Sequence, residues 1–274
     1  MSLRDKIRTV QLSDVGRVRE HNEDAIGSNP ELGLLVLADG MGGYNAGEVA
    51  SGIAVRTTLD LVASACLHAE RTAPDPHTQL MHQSIILRDA IARANKIIHQ
   101  TAHSQRRCEG MGTTIVALLF HDNRVSVAHV GDSRIYRMRG GRLEQITLDH
   151  SLLQELVDRG YYSPSEAARS TNRNYVTRAL GVEATVEVDV REEEVRPGDV
   201  YLMCSDGLSD MVDNEDIQLT ISTFNANLDV AGQQLIKLSN DHGGKDNVSV
   251  ILAQVLEAFP ARSGLFTRVK GIFR

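Results

Sequence analysis

A series of short apolar segments joined by very short turns limits the possible folds of this chain. Residues 113–120 and 124–130 are separated only by "HDN", and residues 134–138 and 142–147 are separated by a turn containing Gly140. Connections of this length join antiparallel strands, because a parallel crossover needs a dozen or more residues. Five further strands are predicted from their apolar pattern, at 7–12, 33–38, 186–192, 199–204 and 247–255.

Helical periodicity distinguishes four other segments from these strands. Apolar residues recur at helical spacing in 46–65 and 79–101, and two shorter helices are predicted at 214–223 and 229–240. Long helices together with clustered antiparallel strands are typical of sheets covered by helices in layers. The sequence therefore predicts an α+β sandwich.

Composition narrows the class of protein. The 274 residues are 42% hydrophobic, enough to bury a full core, and the formal net charge is −7 with basic residues spread along the chain, which argues against a nucleic-acid partner. Cys66, Cys108 and Cys204 are far apart and odd in number, which suits a reducing compartment. The N-terminus lacks the features of a signal peptide, and no uninterrupted apolar run approaches the roughly 20 residues of a membrane helix. We expect a soluble, monomeric cytoplasmic protein.

Two segments depart from the pattern of the main domain, which we place at 1–257. Residues 148–181 contain short helical pieces and polar turns, as expected for a flap inserted between strands, and we expect this flap to gate substrate entry. Residues 258–274 form a tail with four basic side chains and no acidic one. Its apolar residues follow helical spacing, so it either contacts an anionic membrane or a partner, or packs on its own domain or stays disordered.

Four aspartates lie beside predicted strands and near glycines. Asp39, Asp132 and Asp206 follow strands, and Asp246 precedes one. Each of them taken singly is most often a turn residue. Strands that end in carboxylates at one sheet edge can instead gather several negative groups into one pocket, where the carboxylates repel one another unless a cation neutralises them.

The donor types indicate which cation this pocket would hold. No histidine or cysteine stands at these positions, and a set of oxygen ligands favours Mg²⁺ or Mn²⁺ over zinc. The stretch "REHNED" adds Arg19, Glu23 and Asp24. These residues are either a surface ion pair or part of the same site, where a guanidinium binds phosphate in a bidentate manner. The combination predicts a site for phosphoryl hydrolysis.

Ordered motifs along residues 5 to 256 resemble those of the metal-dependent protein serine/threonine phosphatases, the PPM or type 2C class, and most closely its short bacterial members. The motifs are "SDVGRVREHNEDA", "LADGMGG", "GMGTT", "HVGDSRIY", "LDHSLLQELVDRG", "RNYVTRALG", "CSDGLSDMV" and "GGKDNVSVI". The resemblance implies a four-layer α-β-β-α sandwich of two antiparallel sheets flanked by helix pairs. It also implies hydrolysis of phosphoserine and phosphothreonine by a water that two Mn²⁺ or Mg²⁺ ions activate.

The resemblance also implies individual roles. Asp39 would bridge the two ions, and the Gly40 carbonyl, Asp206 and Asp246 would complete their ligands. Asp24 and Glu23 would hold metal-bound waters, Arg19 would grip the phosphoryl group, and Asp132 would join a third, weaker ion. Arg19 and Asp24 are thus the expected catalytic residues. The expected substrates are phosphorylated proteins, and a bacterial serine/threonine kinase is the expected counterpart.

Three positions depart from the family pattern. Met41 replaces a histidine proposed as general acid in animal members, Tyr44 replaces a histidine frequent in bacterial ones, and "STNRN" at 170–174 lacks the usual His-Pro. Two alternatives remain beside the phosphatase: a two-metal phosphodiesterase or nuclease, disfavoured by the acidic charge and few aromatics, and a catalytically silent module that binds phosphoproteins. A silent module has no chemical reason to keep all the mutually repelling carboxylates.

Overall fold

The computed structural model describes residues 2–43, 46–68, 74–163, 166 and 175–260. Its strands are β1 (Ile7–Asp14), β2 (Asp24–Asn29), β3 (Leu34–Met41), β4 (Gly112–Thr113), β5 (Ile115–His121), β6 (Arg124–Val130), β7 (Arg134–Arg139), β8 (Arg142–Gln145), β9 (Asp189–Glu194), β10 (Val200–Cys204) and β11 (Val248–Val255). Its helices are α1 (Ala46–His68), α2 (His82–Ser104), α3 (Leu152–Asp158), α4 (Asp206–Ser209), α5 (Asn214–Thr223) and α6 (Leu228–Asp241).

The strands form two antiparallel sheets, as the short turns predict. The first sheet has the order β1-β11-β10-β7-β8, and the second has the order β2-β3-β5-β6-β9 with β4 paired to β3. The turn between β5 and β6 holds Asp122 and Asn123 at positive φ, and the turn between β7 and β8 does the same with Gly140 and Gly141. Positive φ at two central residues matches the twist of the flanking strands, so these turns form tight hairpins.

Three apolar clusters arrange the sheets and helices in four layers. Strand β3 is buried on both faces: Leu34 and Val36 pack with α1 and α2, whereas Leu35 and Leu37 pack with the first sheet. Alternate residues of a strand point to opposite faces, so one apolar run supplies both contacts. A third cluster joins the outer face of the first sheet to α5 and α6. The predicted α+β sandwich and its four-layer α-β-β-α form are confirmed.

One helix in the part of the chain that the structure describes is long and apolar enough to cross a membrane. This segment is Ala46–Cys66 of α1, with a mean hydropathy of 1.3. Arg56 and Asp60 interrupt its sequence, which is why it contains no uninterrupted apolar run of that length. Its buried residues Ala50 and Ala54 belong to the cluster that α1 shares with β3.

The predicted flap and tail are only partly described. In the flap, Ser151 caps α3 by accepting a hydrogen bond from the Gln154 N–H, and the "STNRN" sequence lies outside the described residues. At the C-terminus Phe259 is buried, and its N–H donates to Asn123 Oδ1 at 2.6 Å. The packed chain therefore continues just past the predicted boundary at 257, and residues 261–274 of the predicted tail lie outside the described residues.

Candidate metal centre

Asp24 and Asp39 face each other at one end of the second sheet. Strands β2 and β3 pair antiparallel with Asp24 directly opposite Asp39. Residues directly opposed in an antiparallel pair point to the same face and lie close together. Asp39 belongs to β3 itself rather than following it, because β3 continues to pair with β4 through Gly40 opposite Thr113 and Met41 opposite Gly112.

Asp206 and Asp246 occupy the corresponding end of the first sheet. Asp206 begins α4 directly after β10, and Asp246 lies just before β11, the neighbour of β10. The two connections pack closely, since a Cβ placed on Gly207 would lie 2.0 Å from the Asn247 carbonyl oxygen. The absence of a side chain at Gly207 thus brings the two carboxylates toward one point.

Hydrogen bonds join the two sheet ends into one site. Ser205 Oγ, on the first sheet, donates to Asp24 Oδ2 on the second at 2.8 Å. The Glu23 N–H donates to Asn247 Oδ1 at 2.8 Å, and Asn247 Nδ2 donates to the His21 carbonyl at 2.9 Å. Asn247 therefore holds the loop that precedes β2 against the first sheet.

The loop from Gly131 to Ser133 adds Asp132 to the same group. Ser133 Oγ lies 2.7 Å from Thr114 Oγ1, and Thr114 Oγ1 accepts a hydrogen bond from the Asp39 N–H at 3.1 Å. Asp132 is only 8% exposed. All four aspartates predicted from strand ends, with Asp24, are thus brought together where the two sheets meet.

Burial and mutual repulsion raise the pKa values of these carboxyl groups. Burial, followed by the neighbouring Asp24 and Asp206, raises the pKa of Asp39 well above its usual range. Burial, followed by Asp132 and Asp246, does the same to the pKa of Asp206. Burial is also the main cause that raises the pKa of Asp24 and of Asp132, each to about 6. At neutral pH the group therefore favours the binding of positive charge.

Two buried oxygens point to a cation as the missing partner. Among the residues that the structure describes, Asp24 Oδ1 and Asp206 Oδ1 are buried without a hydrogen-bond donor. A buried carboxylate oxygen with no partner is costly, and a divalent cation would satisfy both of these oxygens. The donor set consists of carboxylates, a choice that suits Mg²⁺ or Mn²⁺. The residues present therefore fit the implied ions.

Arg19 and Glu23 lie at the edge of this centre. Arg19 Nη2 is 2.6 Å from Asp246 Oδ2, and 51% of the arginine side chain is exposed. The bond to Asp246 is the largest cause of the raised pKa of Arg19. Burial raises the pKa of Glu23, and Arg19 and the Gly47 N–H oppose that rise. The site thus combines a carboxylate group with one accessible guanidinium.

Gly40 allows α1 and the loop before β2 to approach the centre. A Cβ on Gly40 would lie 2.2 Å from the Gly47 carbonyl oxygen and 2.6 Å from the Glu23 carbonyl oxygen. Both contacts are with backbone atoms, so no side-chain rotation could relieve them. Gly43, in the same loop, has nothing within 4 Å of its Cβ position.

We therefore expect Gly40→Ala to destabilise the protein, by about 3 kcal/mol, because backbone must move to accept the methyl group. For a chain of this size, that corresponds to a fall in melting temperature of about 10 °C in a calorimetric scan. Gly43→Ala is the matched control and should change the melting temperature by about 1–2 °C at most. Equal stability of the two variants would contradict the close approach described above.

A cavity of about 550 Å³ opens beside the centre. Asp132 and Asp206 line it, together with the flap helix α3 and the connection between α4 and α5. Val157 and Val212 contribute apolar surface, and Arg134 is held by Asp149 at 2.7 Å. The cavity offers space next to the carboxylates for a substrate larger than the phosphoryl group.

Sequence reasoning assigned no role to the neutral residues that organise this site. Ser205, Asn247 and Thr114 hold Asp24, the Glu23 loop and Asp39 through the hydrogen bonds given above. The available signal was their position beside the aspartates in "CSDG", "KDNV" and "GTT". Of the two family departures at this end, Met41 lies on β3 opposite Gly112, and Tyr44 is outside the described residues.

Comparison with known proteins gives consistent matches over most of the chain. A family model described as Protein phosphatase 2C matches residues 16–240. The serine/threonine protein phosphatase PstP of Mycobacterium tuberculosis is 40% identical over 252 residues, which are 92% of this chain and 45% of that protein. This chain thus spans less than half the length of PstP.

Two further matches cover nearly the whole of the compared chain. The serine/threonine phosphatase stp of Listeria monocytogenes is 39% identical over 88% of this chain and 93% of its own length. The crystal structure of the PstP catalytic domain in complex with two manganese ions has a TM-score of 0.73 and 39% identity, and the match covers 92% of this chain and 99% of that one.

Proposed function

This chain belongs to the protein phosphatase 2C family and carries the catalytic domain of a serine/threonine protein phosphatase, and we propose that it hydrolyses phosphoserine and phosphothreonine in proteins with water activated at a two-ion centre. Asp39, Gly40, Asp206 and Asp246 would hold two Mn²⁺ or Mg²⁺ ions. Asp24 and Glu23 would orient water beside them. The similarity to a catalytic domain that contains two manganese ions supports this assignment.

The observation that carries the proposal is the convergence of five aspartates from both sheets. The negative charge of each of the other four raises the pKa of Asp39; these residues are Asp24, Asp132, Asp206 and Asp246. A protein that only folds has no reason to bury such a group, because repulsion and desolvation both oppose it. Two-metal sites of this kind act on phosphate esters.

The ions, when bound, would supply positive charge and activate a water for attack on phosphorus. Arg19 would bind phosphoryl oxygens through parallel N–H donors and stabilise the charge that develops on them. Its half-exposed side chain lies beside Asp246, at the edge of the centre rather than on a distant surface. Met41 carries no proton to donate, so the leaving oxygen would take its proton from water.

Asp132, the cavity and the cysteines add further parts to the proposed function. Asp132 lies on a separate loop, lines the cavity, and would contribute to a third, weaker ion. The cavity would receive the polypeptide that carries the phosphorylated residue. Cys66, Cys108 and Cys204 are all free, which agrees with the cytoplasmic location that we propose. The substrates would be products of a bacterial serine/threonine kinase.

Release of phosphate from a phosphothreonine peptide tests the proposed function. We expect turnover with Mn²⁺ or Mg²⁺, loss of turnover in excess chelator, and its recovery when Mn²⁺ is added back. Recovery serves as the control that chelation has not unfolded the protein. Turnover that persists in excess chelator would overturn the two-ion proposal, and a folded, Mn²⁺-loaded protein inactive on both the peptide and an aryl phosphate would overturn the phosphatase itself.

A further inference from the structure

A second polar cluster lies at the base of the flap. Ligand atoms of His129, His150 and Asp189 lie within 4.8 Å of one another. Arg178 already supplies a cation there, since its Nη1 is 2.7 Å from Asp189 Oδ1 and 3.1 Å from His150 Nε2. A divalent ion would have to displace this guanidinium, so the cluster points to a role other than metal binding.

His150 holds both peptide groups of Gly131. The Gly131 backbone N–H donates to the His150 ring nitrogen Nδ1 at 3.1 Å, and the His150 backbone N–H donates to the Gly131 carbonyl at 3.0 Å. Gly131 directly precedes Asp132 in the loop described above. One residue of the flap thereby fixes the backbone from which the Asp132 carboxylate projects.

The same loop is held on its other side by Thr114. A Cβ on Gly131 would lie 2.6 Å from Thr114 Cβ, so the two residues pack without room for a side chain. Ser133 continues this contact through its hydrogen bond with the Thr114 hydroxyl, which also accepts from the Asp39 N–H. The Asp132 loop is therefore clamped between His150 and the strand connection that positions Asp39.

His150 also ties together the two described ends of the flap. Its carbonyl accepts a hydrogen bond from the Thr177 N–H at 2.9 Å, and its neighbour Ser151 pairs with Val176. The returning chain then pairs Leu180 with Thr113 next to the centre. Displacement of either end of the flap would thus act on the Asp132 loop through His150.

The hydrogen bonds define which ring nitrogen of His150 carries the proton. A backbone N–H can only donate, so Nδ1 accepts from Gly131 and a neutral ring carries its proton on Nε2. That proton faces Asp189 Oδ2, 3.4 Å from Nε2, whereas Arg178 Nη1, although 3.1 Å from Nε2, donates to Asp189 Oδ1 at 2.7 Å and not to the protonated Nε2. Burial, with His129 and Arg178 nearby, lowers the pKa of His150, which agrees with the neutral form.

We propose that His150 is a positioning residue that holds the Asp132 loop, through the Gly131 peptide, in the place where Asp132 can bind its cation. The inference rests on the proposed function only for the role of Asp132. The contact between Nδ1 and the Gly131 N–H carries the positioning, and the contact with Asp189 orients the ring. A change at His150 should therefore act on the loop and on the weakest metal-binding step, and leave the other two ions in place.

Three variants separate these contacts. His150→Ala removes both, His150→Asn places an amide oxygen at the Nδ1 position, and His150→Gln places an amide nitrogen at the Nε2 position. Hydrogen exchange is followed in peptides that cover 128–135, which contain Gly131 but not Ser126, and bound Mn²⁺ is counted by electron paramagnetic resonance of the free ion. His121→Ala is the matched control, because His121 is equally buried, at 8% against 9%, and bonds Ser126 in the second sheet.

We expect exchange at Gly131 to become about 5- to 10-fold faster in His150→Ala and His150→Gln, the effect of losing one hydrogen bond. The weakest Mn²⁺-binding step should weaken about 3- to 10-fold in the same two variants. His150→Asn and His121→Ala should resemble the parent in both measurements. Parental exchange and parental Mn²⁺ binding in His150→Ala, or loss of both in His150→Asn, would overturn the proposal.

The two proposals fail in different ways. If the parent releases no phosphate, the proposed function fails while the exchange measurement still decides whether His150 holds the loop. If the parent is active and His150→Ala exchanges faster without a change in Mn²⁺ binding, His150 shapes the loop only and the inference about the cation is overturned.

Discussion

Asp39→Asn is expected to lower phosphate release from a phosphothreonine peptide by about 10³-fold or more. Asp39 lies among the other carboxylates of the site, and their charges raise its pKa; these residues are Asp24, Asp206, Asp132 and Asp246. Its proposed role as the ligand shared by both ions means that one substitution weakens both. The ions stabilise the charge that develops in the transition state of such a reaction by several kcal/mol. A loss of about 1.4 kcal/mol corresponds to a tenfold fall in rate.

Unfolding would not explain this loss. Because burial and neighbouring carboxylates raise the pKa of Asp39, its charge opposes folding of the metal-free chain at neutral pH, and asparagine removes that charge at nearly constant shape. The variant should therefore melt no lower than the parent in chelator. Calorimetry in chelator and a count of bound Mn²⁺ accompany the kinetic assay.

Asp5→Asn provides the control for loss of one carboxylate. Asp5 is exposed just before β1, whereas the other end of β1, at Asp14, lies next to the loop that carries Arg19. The length of the strand places Asp5 roughly 30 Å from that end. Asp5→Asn should keep parental turnover. An active Asp39→Asn enzyme, within about tenfold of the parent, would show that Asp39 does not hold the ions.

Local patterns predicted most elements of the fold, and two of them to the residue. Strand β6 at Arg124–Val130 and helix α5 at Asn214–Thr223 have the predicted bounds. Both carry their signal within a short window: β6 alternates next to a tight hairpin, and α5 follows Asp213, which accepts a hydrogen bond from the Asp216 N–H as the N-terminal cap.

Strand β2 was not predicted because its own sequence does not favour a strand. The segment "DAIGSN" contains Gly27 and Asn29, which have low strand propensity, and all six of its residues are half-buried. It becomes a strand by pairing with β3. The prediction that Asp39 follows a strand was incorrect for the same reason, since pairing to β2 and β4 carries β3 past it.

The acidic members of the site were predictable, and their supporting residues were not. Charge and a position beside or near glycine single out Asp206 and Asp246 in the sequence. The bonds from Ser205 to Asp24 and from Glu23 to Asn247 join residues far apart in the chain. Side-chain bonds of this kind leave no periodic signal, so only the folded arrangement reveals them.

Asp132→Asn is expected to stabilise the metal-free protein at neutral pH and to leave it unchanged near pH 4. Burial, followed by the nearby Asp149, raises the folded-state pKa of Asp132 from 3.8 to about 6. A raised pKa means that the proton binds the folded state more tightly. The stabilisation that this proton binding gives the folded state is complete below the pKa of Asp132 in the unfolded chain, and it is lost as pH rises through about 6.

The size of the effect follows from that shift. Two pKa units at about 1.4 kcal/mol each give a destabilisation on the order of 3 kcal/mol at pH 7, which asparagine removes. In chelator at pH 7, Asp132→Asn should melt about 5–10 °C above the parent, and the difference should shrink toward zero as the pH falls to 4. Because the comparison is a difference between two proteins, the titration of the other carboxylates largely cancels.

Mn²⁺ should narrow the difference in melting temperature between the two proteins. An ion that binds the folded state raises its stability by mass action, so saturating Mn²⁺ should raise the melting temperature of the parent more than that of Asp132→Asn. Asp5→Asn should show neither the pH-dependent difference nor the altered response to Mn²⁺. A stabilisation by Asp132→Asn that is the same at pH 4 and pH 7 would show that the Asp132 carboxylate is not under electrostatic strain, and this evidence for a cation at its loop would then fail.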